Sequence, residues 1–329
     1  MSLYTGTTAT VPNVVDVLRR RRDAGTRPAR RQDPYRVAIT IEGGGSRVAY
    51  PMGILAAFDE LNLSLAFDAV YGVSAGAVAG ALFVSGSASE SLPQWPGLMG
   101  GVCDFRRLAR GRTPINTELI LDSFERARPG ILEQMASSEV PLHPLATCTR
   151  TGQGVDLHPY IKDADTFGRA VRASATIPVL AGRPIELGGR HWVDGGVAEN
   201  VGFRTAVADG ATHVVVLRCR HVGETTKQPH WLEHASVRRY FKRHSPPAIA
   251  TWHARYQRGL EDDATLERLT ADPSAVGPRV LELRAPADEY RITRLERDPE
   301  LLRRAMYVGR ATGYQALAGL VDHIEEPHR

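Results

Sequence analysis

Apolar positions along the chain come in two patterns. Val37, Ala38, Ile39, Thr40 and Ile41 form an unbroken, β-branched run, which fits a strand covered on both faces better than one alternating between core and solvent. It ends at Glu42 and enters Gly43-Gly44-Gly45. Met52, Ile54, Leu55, Phe58 and Leu61 then recur at helical spacing over 50–62. The same order returns at once. Phe67, Ala69, Val70 and Tyr71 predict a second buried strand, Gly72-Val73-Ser74-Ala75-Gly76 a turn, and 77–84 a helix of small residues. Two strand, glycine-loop, helix units in succession predict an α/β fold with parallel strands.

Further along, 85–114 is rich in Gly, Ser and Pro and reads as a long loop, followed by a helix at 116–127. Strands are expected at 141–149 and 155–158, a helix at 163–174, and strands at 183–187 and 190–193 that lead into Asp194-Gly195-Gly196. A helix at 202–209 feeds a buried strand at 213–217. The stretch from about 220 to 329 is mainly helical (near 229–243, 247–269 and 298–322) with a strand at 279–284. It reads as a lid or interface element, or as a completion of the main sheet. Residues 35–329 form the principal domain. Residues 1–34 read as a flexible basic arm with a short helix at 11–22, because Arg19, Arg20, Arg21, Arg22, Arg27, Arg30 and Arg31 crowd among Gly25, Pro28 and Pro34 with little to bury.

Composition narrows the class. The 329 residues carry a net charge of +4, but residues 1–36 hold eight arginines against three aspartates, so the remainder is nearly neutral. The functional reading of such an arm is peripheral contact with an anionic membrane face. Three widely spaced cysteines without a C-x-x-C fit neither a disulfide framework nor a structural zinc site. No apolar stretch is long enough to span a membrane, and no apolar segment follows the N-terminal arginines as in a secretory signal. A soluble, cytoplasmic protein is expected. No recognised nucleic-acid module accompanies the basic residues, so nucleic acid is not an expected partner.

Three segments could carry chemistry. Gly72 to Gly76 satisfies G-x-S-x-G, in which flanking glycines let a strand turn sharply into a helix and expose the Ser74 hydroxyl. A tight turn with an idle serine also fits the spacing, but the position between an apolar strand and a helix is what the elbow requires. Gly43, Gly44 and Gly45 let backbone N–H groups converge on one point, as acyl transfer needs for its oxyanion, and Arg47 could hold that loop or bind an anionic head group. The P-loop and G-x-G-x-x-G patterns are absent. Asp194 ends an apolar strand before Gly195 and Gly196, where a shielded carboxylate can serve a serine as general base.

Together these segments resemble the patatin-like phospholipase family, lipid acyl hydrolases with a Ser-Asp dyad. Glu42–Arg47 is similar to the family's glycine-rich oxyanion segment, Gly72–Gly76 to its elbow, Asp194–Gly196 to its D-G-G motif, and Ala173–Pro178 to its A-S-x-A-x-P turn, with Asn200 where the family has asparagine. Val48, Gly202 and Thr176 depart from the family's usual glycine, proline and alanine. The resemblance implies a three-layer α/β/α patatin-like fold with a mostly parallel central sheet, Ser74 as nucleophile, Asp194 as base, and an oxyanion hole from Gly43, Gly44, Gly45, Arg47 and Ala75. It also implies support from Gly72, Gly76, Gly195, Gly196 and Asn200, a phospholipid or other fatty-acyl ester as substrate, and neither cofactor nor metal. An acyltransferase or thioesterase using the same Ser74 acyl-enzyme, and a silent lipid-binding scaffold, are the alternatives. A Ser-His-Asp triad is the mechanistic rival, and His213 or a later histidine would follow Asp194 in its chain order. His213 opens a buried strand, at the wrong end for catalysis, and reads as structural, as do His143 and His158.

Overall fold

The computed structural model describes residues 11–318 apart from 229 and 273. Strand β1, Val37–Ile41, is buried throughout, and its side chains enter two different cores. Val37, Ile39 and Ile41 pack with the helices Ala49–Glu60, Ala75–Val84 and Pro299–Ala316, whereas Ala38 joins Val214, Val216, Phe203 and Leu266 on the other face. Helices on both sides explain why the strand is apolar without alternation.

The remaining strands are β2 Ala69–Val73, β3 Leu142–Cys148, β4 Gly154–Asp156, β5 Ile185–Leu187, β6 Arg190–Asp194, β7 His213–His221 and β8 Arg279–Ala285. They form one sheet in the order β5-β6-β3-β2-β1-β7-β8, with β4 added to β3. β3, β2, β1, β7 and β8 are parallel, while β6 runs antiparallel to β3 and β5. Register then does functional work. Val73 pairs with Leu145, and the next residue of β3, Ala146, pairs with Asp194. Ser74, directly after Val73, is thereby brought level with Asp194 across β3.

Two expectations change, and one alternative left open for the carboxy-terminal stretch is decided. The part of the basic arm within the described residues is docked: Val14, Val17 and Leu18 are buried, in a helix Val14–Asp23 capped by Asn13. Arg21 is also buried, bonding Asp33, Asp68, Ala66 O and Tyr35 O, and Arg31 pairs with Asp68. Counting charges missed that these arginines have internal partners; residues 1–10 of the arm lie outside the described residues. The 85–114 loop contains helices Ala88–Ser91 and Trp95–Val102. Trp95, Met99 and Val102 recur at helical spacing and are buried, and Pro96 sits in the first turn, where a missing N–H costs nothing. The carboxy-terminal stretch is part of the main architecture, with β8 parallel to β7 and Leu302, Ala305 and Met306 in the main core. The closing helix ends at Ala316, and what was expected beyond 318 lies outside the described residues.

One polar cluster ties this stretch to β1. Glu42, the residue between β1 and the glycine loop, is fully buried. It accepts from Arg218 Nε at 3.0 Å and Cys219 N at 2.8 Å, with Arg220 Nε at 3.3 Å. Arg218 extends the cluster to Asp263 at 2.6 Å and Glu282 at 2.7 Å. Burial opposes ionisation of Glu42, but Arg218 and Arg220 outweigh it and hold its pKa down to about 2. Removing one member of such a pair strands the other's charge. Glu42→Gln should therefore lower the unfolding free energy by about 3 kcal/mol in urea titrations at pH 7. An unchanged midpoint would contradict this role.

Candidate active site

Ser74 occupies a backbone conformation that side chains rarely adopt, φ 56° and ψ −127°. Such strain persists only where the surroundings impose it. Here β2 must pass within one residue into the helix Ala75–Val84, and a methyl group at Gly72 would strike Ala77, while one at Gly76 would strike the Ile41 carbonyl. The G-x-S-x-G glycines are thus required by close approach. The helix directs its positive N-terminal end at the serine.

A second brace was not read from the sequence. Ser174 Oγ accepts the Ser74 N–H at 2.9 Å and donates to Leu145 O at 2.6 Å. Two residues on, Thr176 O accepts the Asp194 N–H at 3.0 Å, and Thr147 Oγ1 donates to Asp194 O at 2.9 Å. The Ala173–Pro178 turn therefore clips both Ser74 and Asp194 by their backbones. The motif quoted from the sequence marked this turn, but nothing local showed what its hydroxyl would hold.

Asp194 is 6% exposed. Its Oδ1 accepts the Gly196 N–H at 2.8 Å, and Oδ2 has no hydrogen-bond partner among the described residues. Burial pushes its pKa up to about 6, against the opposing influence of the nearby Ser74 hydroxyl, the Gly196 N–H, Arg294 and Arg255. A carboxylate with a free lone pair and a pKa near neutrality is suited to accept a proton and return it.

The glycine loop lies against the serine, since a Cβ on Gly43 would sit 3.2 Å from Ser74 Cβ. The Gly43 N–H is spent on Asn200 O at 2.9 Å, which removes it from the expected set of oxyanion donors. Asn200 also donates to Glu42 Oε1 at 3.0 Å and Gly43 O at 3.2 Å, so its role is to fix the loop. The N–H groups of Gly44, Gly45 and Ala75 have no acceptor among the described residues. Arg47 lines the same cavity but faces Glu224, with Nη1 to Oε1 at 3.5 Å.

Ser74 and Asp194 open into a cavity of about 680 Å³. Ile177, Val179, Leu180, Val197, Val237, Trp252 and Leu295 supply apolar wall, much of it from the carboxy-terminal stretch. His213 is far from this role: buried at the start of β7, it contacts Pro12 O, and burial lowers its pKa. No histidine among the described residues bonds the Asp194 carboxylate, which a triad would need. The donor atoms of His143, Asp156 and Asp209 lie within 4.8 Å of one another, the one grouping among the described residues that could hold a metal. They already engage each other and Tyr71, with His143 Nδ1 2.7 Å from Asp156 and Tyr71 Oη donating to Asp209 at 2.9 Å.

No described helix is long and apolar enough to cross a membrane. The chain is similar to an uncharacterised Escherichia coli protein, YjjU, 24% identical over 188 residues. The match covers 56% of the chain and 52% of YjjU, so the chain spans about half the length of this curated relative. Among solved structures, VipD from Legionella pneumophila aligns with 87% of this chain and 67% of its own, at a TM-score of 0.43 and 14% identity. The family model for patatin-like phospholipases matches residues 39–207, the segment that holds the glycine loop, the elbow, the Ser174 turn and Asp194. The chain belongs to the patatin-like phospholipase family.

Proposed function

We propose that the protein is a serine lipid acyl hydrolase of phospholipase A or lysophospholipase type, cleaving fatty-acyl esters through Ser74 and Asp194. The observation that carries this reading is the strained Ser74 on one cavity wall beside a buried carboxylate whose pKa is raised to about 6. Ser74 Oγ attacks the ester carbonyl and its proton passes to Asp194 Oδ2. The tetrahedral oxyanion is held by the N–H groups of Gly44, Gly45 and Ala75 at the head of the helix. Collapse expels the alcohol, which takes the proton from Asp194 and leaves an acyl group on Ser74. Water, deprotonated by Asp194, then attacks the acyl-enzyme; collapse releases the fatty acid and returns the proton to Ser74. The apolar wall suits the acyl chain. Trp231 and Leu232, exposed at 68% and 52% beside cavity-lining His230 and Glu233, offer apolar ground for peripheral contact with a lipid surface.

A fluorophosphonate probe should label the wild type and leave Ser74→Ala unlabelled, and the variant should lose at least about a thousandfold in ester turnover. Labelling of the variant at an equal rate would refute the nucleophile. With Asp194 as base, kcat/KM should rise with pH through about 6 and fall tenfold per unit below it. A profile centred near 4 or 8 would place the base elsewhere. The same shift affects stability. The Asp194 pKa is higher folded than unfolded, so the folded state binds the extra proton between about pH 4 and 6, and stability from this group falls as pH rises through that window. Asp194→Asn should thus be inactive yet about 2 kcal/mol more stable than wild type at pH 8, with no gain at pH 4. Equal stabilities at pH 8 would contradict the buried, ionised carboxylate.

A further inference from the structure

We propose that the cavity contains an anion subsite, centred on Arg294 with Lys227, that selects acyl esters carrying a phosphate group a few bonds from the scissile carbonyl. This rests on the assignment of Ser74 as nucleophile made above. Among the described residues the cavity is lined by five cations, Arg47, Arg220, Lys227, Arg255 and Arg294, against three carboxylates, Asp194, Glu224 and Glu233. Most of these charges answer one another. Arg47 faces Glu224, Arg255 bonds Glu233 at 2.7 Å while stacked 3.4 Å over Trp252, and Arg220 contacts Glu42 and Asp263.

Arg294 and Lys227 differ. Neither makes an ion pair or a side-chain hydrogen bond to any described residue, and both are exposed to the cavity. Arg294 shares the cavity with Arg47, whose like charge acts against its own, so a bound anion would relieve an existing repulsion. Its planar guanidinium matches two oxygens of a phosphate, and Lys227 adds a point charge.

Placement links the subsite to the chemistry. Arg294 O accepts the Ser46 N–H at 2.9 Å, and Ser46 Oγ donates to Glu296 O at 2.8 Å. Gly45, at φ +58°, leaves the space that the Arg294 carbonyl occupies. The backbone of Arg294 is thus fastened to the loop that presents the Gly44 and Gly45 N–H groups. Arg294 lines the same cavity as Ser74, Gly44 and Gly45, and its charge acts on Asp194. Arg47, two residues past the glycine loop, is the obvious anion binder from sequence, but Glu224 already faces it. Because Arg294 is anchored through its carbonyl, changing its side chain leaves the loop contact in place.

The test compares two esters with the same acyl chain, lysophosphatidic acid and neutral monoacylglycerol, in wild type, Arg294→Gln and Arg294→Lys. Calorimetric titration with inorganic phosphate accompanies it and needs no catalysis. The ratio of kcat/KM for the phosphate ester to that for the neutral ester should fall at least tenfold in Arg294→Gln and recover in part in Arg294→Lys. Phosphate affinity should fall at least tenfold in Arg294→Gln. An unchanged ratio, or equal loss on both esters, overturns substrate selection by this subsite. Phosphate binding that weakens while the ratio holds assigns the site to free phosphate and equally overturns it. Absence of phosphate binding to wild type overturns the anion site itself. If neither ester is cleaved in a Ser74-dependent way, the proposed hydrolase activity fails, and the calorimetry still decides the subsite.

Discussion

The glycine loop is held in place by a carboxylate that has no access to water. Glu42 follows β1, bonds the backbone of Cys219 on β7, takes Asn200 from beyond β6, and through Arg218 reaches Asp263 and Glu282 in the carboxy-terminal stretch. A loop of three glycines has little conformational preference of its own. Its shape must come from its ends and from what is fastened along it. Glu42 fixes one end, Asn200 fixes Gly43 from both its amide and its carbonyl, and the Arg294 carbonyl takes the Ser46 amide. Among the described residues, the N–H groups of Gly44 and Gly45, which line the cavity, remain without an acceptor.

Glu42 and Asp194 form an instructive contrast. Both are buried carboxylates at the ends of strands in the same sheet, yet one is held down to about 2 and the other pushed up to about 6. Burial acts in the same direction on both, so the difference lies in their partners. Glu42 has two arginines against it. Asp194 has one backbone N–H on Oδ1 and the Ser74 hydroxyl nearby, with Arg255 and Arg294 acting only from a distance. The first carboxylate is structural because its charge is fully answered, and the second is available for proton transfer because its charge is not.

Much of this was legible in the chain, for physical reasons. The runs at 37–41 and 213–217 announced strands covered on both faces, and the order strand, glycines, helix announced the crossovers. Steric need marks G-x-S-x-G and D-G-G, so they could be found by residue type alone. Long-range satisfaction of polar groups was not legible. Arg21 and Arg31 looked like solvated charge until Asp33 and Asp68 were seen beside them. Ser174 stood inside a recognised turn without any sign that its hydroxyl would accept the Ser74 amide. Arg255 and Arg294 come from the carboxy-terminal stretch, outside every motif, and enter the site only because β8 and its flanking helices complete the sheet.

The central claim is that Ser74 forms an acyl-enzyme with Asp194 as its base. Intact-mass spectrometry of the protein quenched in acid during turnover of a slow p-nitrophenyl fatty-acyl ester tests it most directly. The account predicts an added mass equal to one acyl group, mapped by peptide fragmentation to Ser74 and absent from Asp194→Asn. Ester turnover with no adduct under burst conditions, or an adduct on any other residue, would contradict it.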